Sequence, residues 1–223
     1  MNVLVTGATG YVGVALIPVL LSRGHRVRAL ARASSLSRVP AGAEAVLGDA
    51  LDAGSVAAAL RPGDTLIHLV GTPHPNPSKA RQFRAVDLVA IRASVNAAMR
   101  AGTAHLAYVS VAQPAPVMRA YVAARAQGEQ SIVEAGLTAT ILRPWYILGP
   151  GRRWPLFLLP LYKAAEAFPA TRAGAQRLAL ITLGQMVNAL VYAVEFPPPP
   201  GQRRIMDVTA IKRAPESCRA DQP

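Results

Sequence analysis

Cysteine is nearly missing from this chain. Cys218 stands alone in a polar tail, so no disulfide framework is available, and a chain of 223 residues with 52% hydrophobic content needs none. That usage suits a reducing compartment, and a cytoplasmic location is the expectation. Acidic residues are scarce as well, 12 against 24 Lys and Arg, which leaves a net charge of +12. Lysine occurs only at Lys79, Lys163 and Lys212, so arginine carries the basic character. The arginines are scattered, from Arg23, Arg26 and Arg28 to Arg81, Arg84, Arg92 and Arg100, with no dense run interleaved with aromatics. This reads as a solvated basic surface and not as a nucleic-acid face, which needs clustering. A weak association with an anionic membrane surface stays open. The first residues lack a charged segment followed by an apolar one, so no secretory signal is expected. The longest uncharged stretch, Leu178 to Val194, falls short of the roughly 20 apolar residues of a membrane span. A buried helix with a lead-in strand is expected there. His25, His68, His74 and His105 have no metal-ligand spacing and no cysteine partner, and there is no Gly-x-Ser-x-Gly elbow.

What is present is a regular alternation. Apolar, β-branched runs at Asn2–Thr6, Arg26–Ala31, Glu44–Leu47, Thr65–Val70, His105–Ser110 and Thr138–Leu142 predict six strands. Between them, helical spacing predicts Tyr11–Arg23 (with Pro18 expected to kink it), Ser55–Leu60, a long helix capped by Ser78 and running to about Arg100, and Met118–Ala135. Gly71 to Pro77 is too rich in proline for regular structure. Such alternation calls for an α/β fold with a doubly wound parallel sheet. After Pro150 it stops. A helix near Leu183–Glu195, opened by a Thr182/Gln185 capping box, and a strand near Arg204–Val208 follow. The expected organisation is a dinucleotide-binding domain over 1–151, a small C-terminal substrate lobe over 152–211, and a disordered tail from Lys212.

Thr6-Gly7-Ala8-Thr9-Gly10-Tyr11-Val12-Gly13 lies between the first strand and the first helix. A tight turn there needs Gly7. Close approach of backbone to a diphosphate needs Gly10, and close packing of the helix needs Gly13. The amides at the helix start, around Thr9, Tyr11 and Val12, then face the phosphates. In its strand–turn–helix setting this is a strong dinucleotide signal. A protein selecting NAD places an acid at the end of the second strand. Here Ala31-Arg32-Ala33 offers none, and the Arg32 guanidinium suits a 2′-phosphate. NADP is therefore expected, with NAD as the alternative.

These motifs, together with Gly48-Asp49-Ala50-Leu51-Asp52, Ile67-His68-Leu69-Val70-Gly71, Tyr108-Val109-Ser110, Tyr121 with Arg125, and Leu142-Arg143-Pro144 running to Gly149-Pro150-Gly151, give the chain a clear likeness. It resembles the atypical short-chain dehydrogenases/reductases, the Rossmann proteins that include the complex-I accessory subunit and the NmrA-like regulators. The resemblance implies that Asp49, with Ala50, sits near the adenine, that Val70 and Gly71 line the cofactor cleft, and that Pro144 begins the loop flanking the nicotinamide. Active members carry Ser, Tyr and a Lys four residues after the Tyr. In this chain Tyr121 supplies the Tyr, Arg125 stands where Lys is usual, and Val111 takes the Ser position, one residue after Ser110. Tyr121 and Arg125 share a helix face. The fixed charge of Arg125 could favour the phenolate but cannot relay a proton. Tyr121 is read either as a general acid or as a tyrosine kept in a cofactor-binding shell.

Trp145, Tyr146, Trp154, Phe157 and Tyr162 concentrate in one short stretch of a chain only 5% aromatic. They suit an apolar or flat substrate such as a quinone or isoprenoid, or a lid packing on itself. Arg152 and Arg153 either clamp an anionic group or face water. Three functions stand: an NADPH-dependent oxidoreductase acting on an apolar small-molecule carbonyl or quinone, a non-catalytic NADP(H)-binding sensor or assembly subunit, and a nucleotide-sugar epimerase. The roughly 70 residues after the sixth strand are few for the last, judged by usual lobe sizes. The sequence leaves the oligomeric state open.

Overall fold

The computed structural model describes residues 1–151, 174 and 176–215. Nine strands are assigned among them: β1 (Asn2–Thr6), β2 (Arg26–Ala31), β3 (Glu44–Leu47), β4 (Thr65–His68), β5 (His105–Val109), β6 (Ala139–Leu142), β7 (Tyr146–Leu148), β8 (Leu180–Thr182) and β9 (Arg203–Met206). The helices are α1 (Gly13–Ser22), α2 (Ala53–Ala59), α3 (Ala80–Gln82), α4 (Val89–Ala101), α5 (Arg119–Glu134), α6 (Leu183–Glu195) and α7 (Val208–Arg213). Seven strands form one parallel sheet in the order β3-β2-β1-β4-β5-β6-β9, and β7 pairs with β8 in a separate parallel pair.

Period-two alternation explains the layers. Val3, Val5, Ile67, Ala107 and Leu142 point to one face, where Leu16, Ile17 and Leu20 of α1 meet Leu190 and Val194 of α6 and Ile211 of α7. Leu4, Leu66, Leu106 and Ile141 point to the other, against Val56 of α2, Ile91 and Val95 of α4, and Ile132 of α5. With both faces covered, strand residues are apolar on both sides, which is why the strands read as short continuous runs. The expected capping box forms: Thr182 Oγ1 accepts from the Gln185 amide at 3.1 Å, and Gln185 Oε1 accepts from the Thr182 amide at 2.9 Å.

Several expectations shift. The first helix starts at Gly13, since residues 7–12 are taken by the turn. It runs on through Pro18, which lies on the exposed side with Val14, so the Val14 carbonyl that loses its helical donor faces solvent rather than the core. The helix expected from Ser78 to Arg100 is interrupted. A 3₁₀ turn at Pro77–Lys79 is capped by Asn76, not Ser78, and a π-helical turn over Phe83–Leu88 separates α3 from α4. That wider turn carries Phe83 and Asp87 to fully shielded positions. Residues 203–206, expected in a C-terminal lobe, pair with β6 and extend the main sheet. Asp207 caps α7, which takes in Lys212 and Arg213 where a disordered tail was expected. Trp154, Phe157, Tyr162, Arg152 and Arg153 lie outside the described residues. Among the described residues, no helix is long and apolar enough to cross a membrane.

Candidate functional site

In a parallel sheet all carboxyl ends share one edge. The chain leaves β1 toward β2 on one side, while β4 sits on the other, so the loops after β1 and β4 diverge and open a crevice there. The phosphate turn occupies that point. Gly7 holds φ +75°, and a Cβ on it would stand 2.8 Å from the Leu69 carbonyl carbon and 3.0 Å from the Val70 nitrogen. Only glycine combines that conformation with that proximity. The Gly10 amide donates to the Gly7 carbonyl at 3.0 Å, and Gly10 itself is exposed. A Cβ on Gly13 would collide with the Ala8 carbonyl, so this glycine serves the turn's own backbone as much as the helix–sheet contact expected for it. Thr9, Tyr11 and Val12 are half-buried around the turn, and a Cβ on Gly149 would meet the Tyr11 hydroxyl. The side-chain-free cradle at the start of α1 fits the diphosphate of a dinucleotide. Gly10→Ala is expected to leave the fold intact and to weaken NADPH binding by about 1–3 kcal/mol, the scale of one methyl forced into a packed contact. Calorimetric titration beside a thermal melt checks both halves.

Toward the adenine end, Arg32 follows β2 and is exposed. Asp49 follows β3, also exposed. Its Oδ1 accepts from the Leu51 amide at 3.0 Å, and its own amide donates to Ser55 Oγ at 2.8 Å. Asp49 thus organises the turn that carries Ala50, whatever else it contacts.

The loops after β4, β5 and β6 form the rest of the cleft. Val70 and Gly71 are half-buried behind the turn. Tyr121 opens α5, its ring 5.0 Å from that of Phe83 and with the Arg125 guanidinium 5.2 Å from its centroid. Tyr121 is therefore wedged between an apolar ring and a cation. Arg125 is buried. Its Nη2 donates to Asp87 Oδ1 at 2.7 Å and its Nη1 to the Val109 carbonyl at 2.9 Å. Burial works against that charge, but the phenols of Tyr121 and Tyr108 and the Asp87 carboxylate outweigh it and hold the guanidinium's pKa above its ordinary value. A lysine ammonium is a point charge on one nitrogen and could not span both partners as the fork does.

Ser110 is shielded, and its Oγ donates to Glu129 Oε1 at 2.5 Å. Gln113 Nε2 donates to the same oxygen at 2.8 Å, and Arg143 forks onto the Glu129 carboxylate. Val111 is buried as well. Pro144 is buried, and its carbonyl accepts from the Ala112 amide at 2.9 Å, which seats the loop after β6 beside the loop after β5. Sequence reasoning missed Asp87 and Glu129. Glu129 was within reach, because Tyr121, Arg125 and Glu129 recur every fourth residue along one helix. Asp87 offered one signal, an acid set among apolar residues in a chain short of acids. Below the cleft, His68 Nδ1 lies 3.2 Å from Thr6 Oγ1 and 2.9 Å from Ser94 Oγ. Burial, aided by the Arg125 charge, lowers its pKa to about 3, so it is neutral.

Residues 7–153 match the family described as NAD(P)H-binding. The ceramide reductase of Caulobacter vibrioides is 29% identical over 194 residues, 85% of this chain and 59% of that protein. The 3β-hydroxysteroid dehydrogenase/Δ5→4-isomerase of Mycobacterium tuberculosis is 36% identical over 115 residues, 49% of this chain and 31% of that protein. The chain thus spans less than two thirds of the length of these curated relatives. A solved structure of a short-chain dehydrogenase/reductase superfamily protein from Agrobacterium tumefaciens, with NAD bound, shares the fold at a TM-score of 0.66 and 19% identity, over 95% of this chain and 81% of that one. Glycine cradle, cleft at the strand crossover and matched span coincide, and the chain belongs to the NAD(P)H-binding family of Rossmann proteins.

Proposed function

We propose that this protein is an NADPH-dependent reductase of an apolar carbonyl compound, with Tyr121 as the proton donor. The observation that carries the reading is the seat of Tyr121: its ring is fixed between Phe83 and Arg125 at the position where the family it resembles places its acid. Gly7, Thr9, Gly10, Tyr11, Val12 and Gly13 hold the diphosphate, Arg32 meets the 2′-phosphate, and Asp49 and Ala50 border the adenine. Bound NADPH supplies the hydride that a carbonyl carbon takes up. Tyr121 donates its hydroxyl proton to the carbonyl oxygen and recovers one from solvent. Arg125 holds the ring and keeps a positive charge beside it. Ser110 gives its hydrogen bond to Glu129, so it orders the loop after β5 and leaves Tyr121 to meet the oxygen. An apolar substrate agrees with the aromatic content of the segment after β6 and with relatives named for ceramide and a steroid.

A second reading, a non-catalytic NADP(H)-binding protein, is favoured by the same two locks. Ser110 donates to Glu129 and Arg125 to Asp87, while Val111 stands at the usual Ser position and Arg125 at the usual Lys position, so the usual triad is incomplete. The deciding experiment follows NADPH oxidation against a panel of hydrophobic ketones and quinones, beside calorimetric titration with NADPH and NADH. Turnover supports the reductase. Tight NADPH binding without turnover across the panel supports the second reading. In the same titration, Arg32→Asp is expected to weaken NADPH by roughly 1–3 kcal/mol, the loss of a charge-assisted hydrogen bond, and to spare NADH. Equal losses for both cofactors would remove Arg32 from the 2′-phosphate site.

A further inference from the structure

The loop leaving β4 is gripped from two sides. On one side stands the phosphate turn, since a Cβ on Gly7 would press on Leu69 and Val70. On the other stand Arg125 and Asp87. A Cβ on Gly71 would run into Arg125 Nη2 and lie 3.2 Å from Asp87 Oδ1. One residue further, the Thr72 amide and hydroxyl both donate to Asp87 Oδ2, at 3.0 and 2.5 Å. The other carboxylate oxygen takes Arg125 Nη2 at 2.7 Å. A single side chain, fully shielded from water, thereby joins the loop to the helix that carries Tyr121.

A buried ion pair of this kind is weak evidence for stability, because well-packed apolar side chains of the same volume often serve as well. What a carboxylate adds is direction. Three bonds, two of them to a loop 15 residues away and one to a helix 38 residues away, admit one relative placement of the two segments. The π-helical turn at Phe83–Leu88 points the same way, since it is the local distortion that brings Asp87 to the loop. The contacts run without a break from Gly7 through Leu69, Val70, Gly71, Thr72 and Asp87 to Arg125 and the ring of Tyr121.

We propose that Asp87 is a positioning residue of the cofactor site: through Thr72 and Arg125 it fixes the loop at Val70 and Gly71 against the phosphate turn, so that the cleft is formed before NAD(P)H arrives. The inference rests on the cofactor reading given above. Asp87 itself is shielded and acts through the loop. A preformed cleft avoids the cost of ordering a loop on binding, and that saving is what a variant would lose.

Thr72 offers the discriminating substitutions, because they leave both charges in place. NADPH affinity is measured by calorimetry on the full chain for the wild type, Thr72→Ser, Thr72→Val and Asp87→Asn, with a thermal melt of each. Thr72→Ser keeps the hydroxyl and should bind within about twofold of wild type. Thr72→Val keeps the shape without the donor and should weaken NADPH about five- to thirtyfold at temperatures where it is folded, the effect of one lost buried bond. Asp87→Asn should do at least as much. A purely structural role would lower the melting temperature of Thr72→Val and leave the affinity of the folded protein unchanged, and that result would overturn the proposal. If Asp87→Asn does not fold, the Thr72 pair decides alone. If the wild type binds neither NADPH nor NADH, the cofactor reading fails first and takes the proposal with it. A wild type that binds tightly beside variants that bind equally well sinks the proposal only.

Discussion

Tyr121→Phe is expected to cut turnover by about 10²–10⁴-fold, the usual share of general acid–base catalysis, while NADPH affinity changes little. The substitution removes one oxygen and leaves the ring. The contacts that fix Tyr121, to the Phe83 ring at 5.0 Å and the Arg125 guanidinium at 5.2 Å, are made by the ring and persist in phenylalanine. Fold and cofactor cleft therefore stay as they are, and the loss falls on the chemical step. The neighbouring hydroxyls are engaged or shielded: Ser110 donates to Glu129, and the Tyr108 phenol is buried, with its pKa pushed up to about 12. Steady-state kinetics on whichever ketone or quinone the wild type turns over will read the effect as a fall in kcat. A fully active Tyr121→Phe would remove Tyr121 from the chemistry and leave it as packing.

The second large effect is a loss of stability in mild acid. His68 is wholly shielded and its pKa is lowered to about 3, by burial first and then by the Arg125 charge. His105, whose Nε2 lies 2.9 Å from Thr140 Oγ1, is lowered to about 4 by burial and the Arg204 charge. Both are neutral in the native state. Unfolded, each takes up a proton below about pH 6.5. The unfolded chain then binds more protons than the folded one, so stability rises with pH across this window. The contribution is complete above about 6.5 and is lost as pH falls, at up to about 1.4 kcal/mol per unit for each histidine. Between pH 6.5 and 4.5 the pair removes about 5 kcal/mol, comparable with the whole stability of many domains. Paired carboxylates add their own loss only below about pH 5. Urea midpoints at pH 7.5, 6.5, 5.5 and 5.0 should fall steeply. His105→Gln should halve the slope, and a flat profile down to pH 5 would show that neither ring is held neutral.

The sheet was legible because both its faces are covered. Runs such as Val3-Leu4-Val5 and Leu66-Ile67 had to be strands buried on two sides, and the six runs from Asn2 to Leu142 became β1 to β6 within a residue or two at their ends. The phosphate turn was legible because glycine leaves a mark wherever backbone must pass close to backbone. The long-range polar pairs were not. Arg125 stands where the family has lysine, but its partner, Asp87, is 38 residues away in the π-helical turn, and nothing in the spacing links the two. The bond from Ser110 to Glu129, 19 residues along the chain, is equally invisible in the spacing of the motifs. Charge pairing inside a folded chain is set by topology, and spacing along the sequence carries little trace of it. The pairing of β9 with β6 was hidden for the same reason, since Arg203 lies 64 residues beyond its partner Ala139.

That last pairing sets where the chain is free to grow. The entropy of closing a loop rises only with the logarithm of its length, about 0.6 kcal/mol for each doubling. Neighbours such as β1 and β2 meet across 24 residues, and their connection is held to length by α1 packing against the sheet. Between β6 and β9 the chain is already committed to a long excursion. Ten or twenty residues inserted there add a few tenths of a kcal/mol to closure and touch no strand of the sheet. Length can therefore be added in that one interval at little entropic cost while the order and register of the seven strands stay as they are, a tolerance written into the strand order itself.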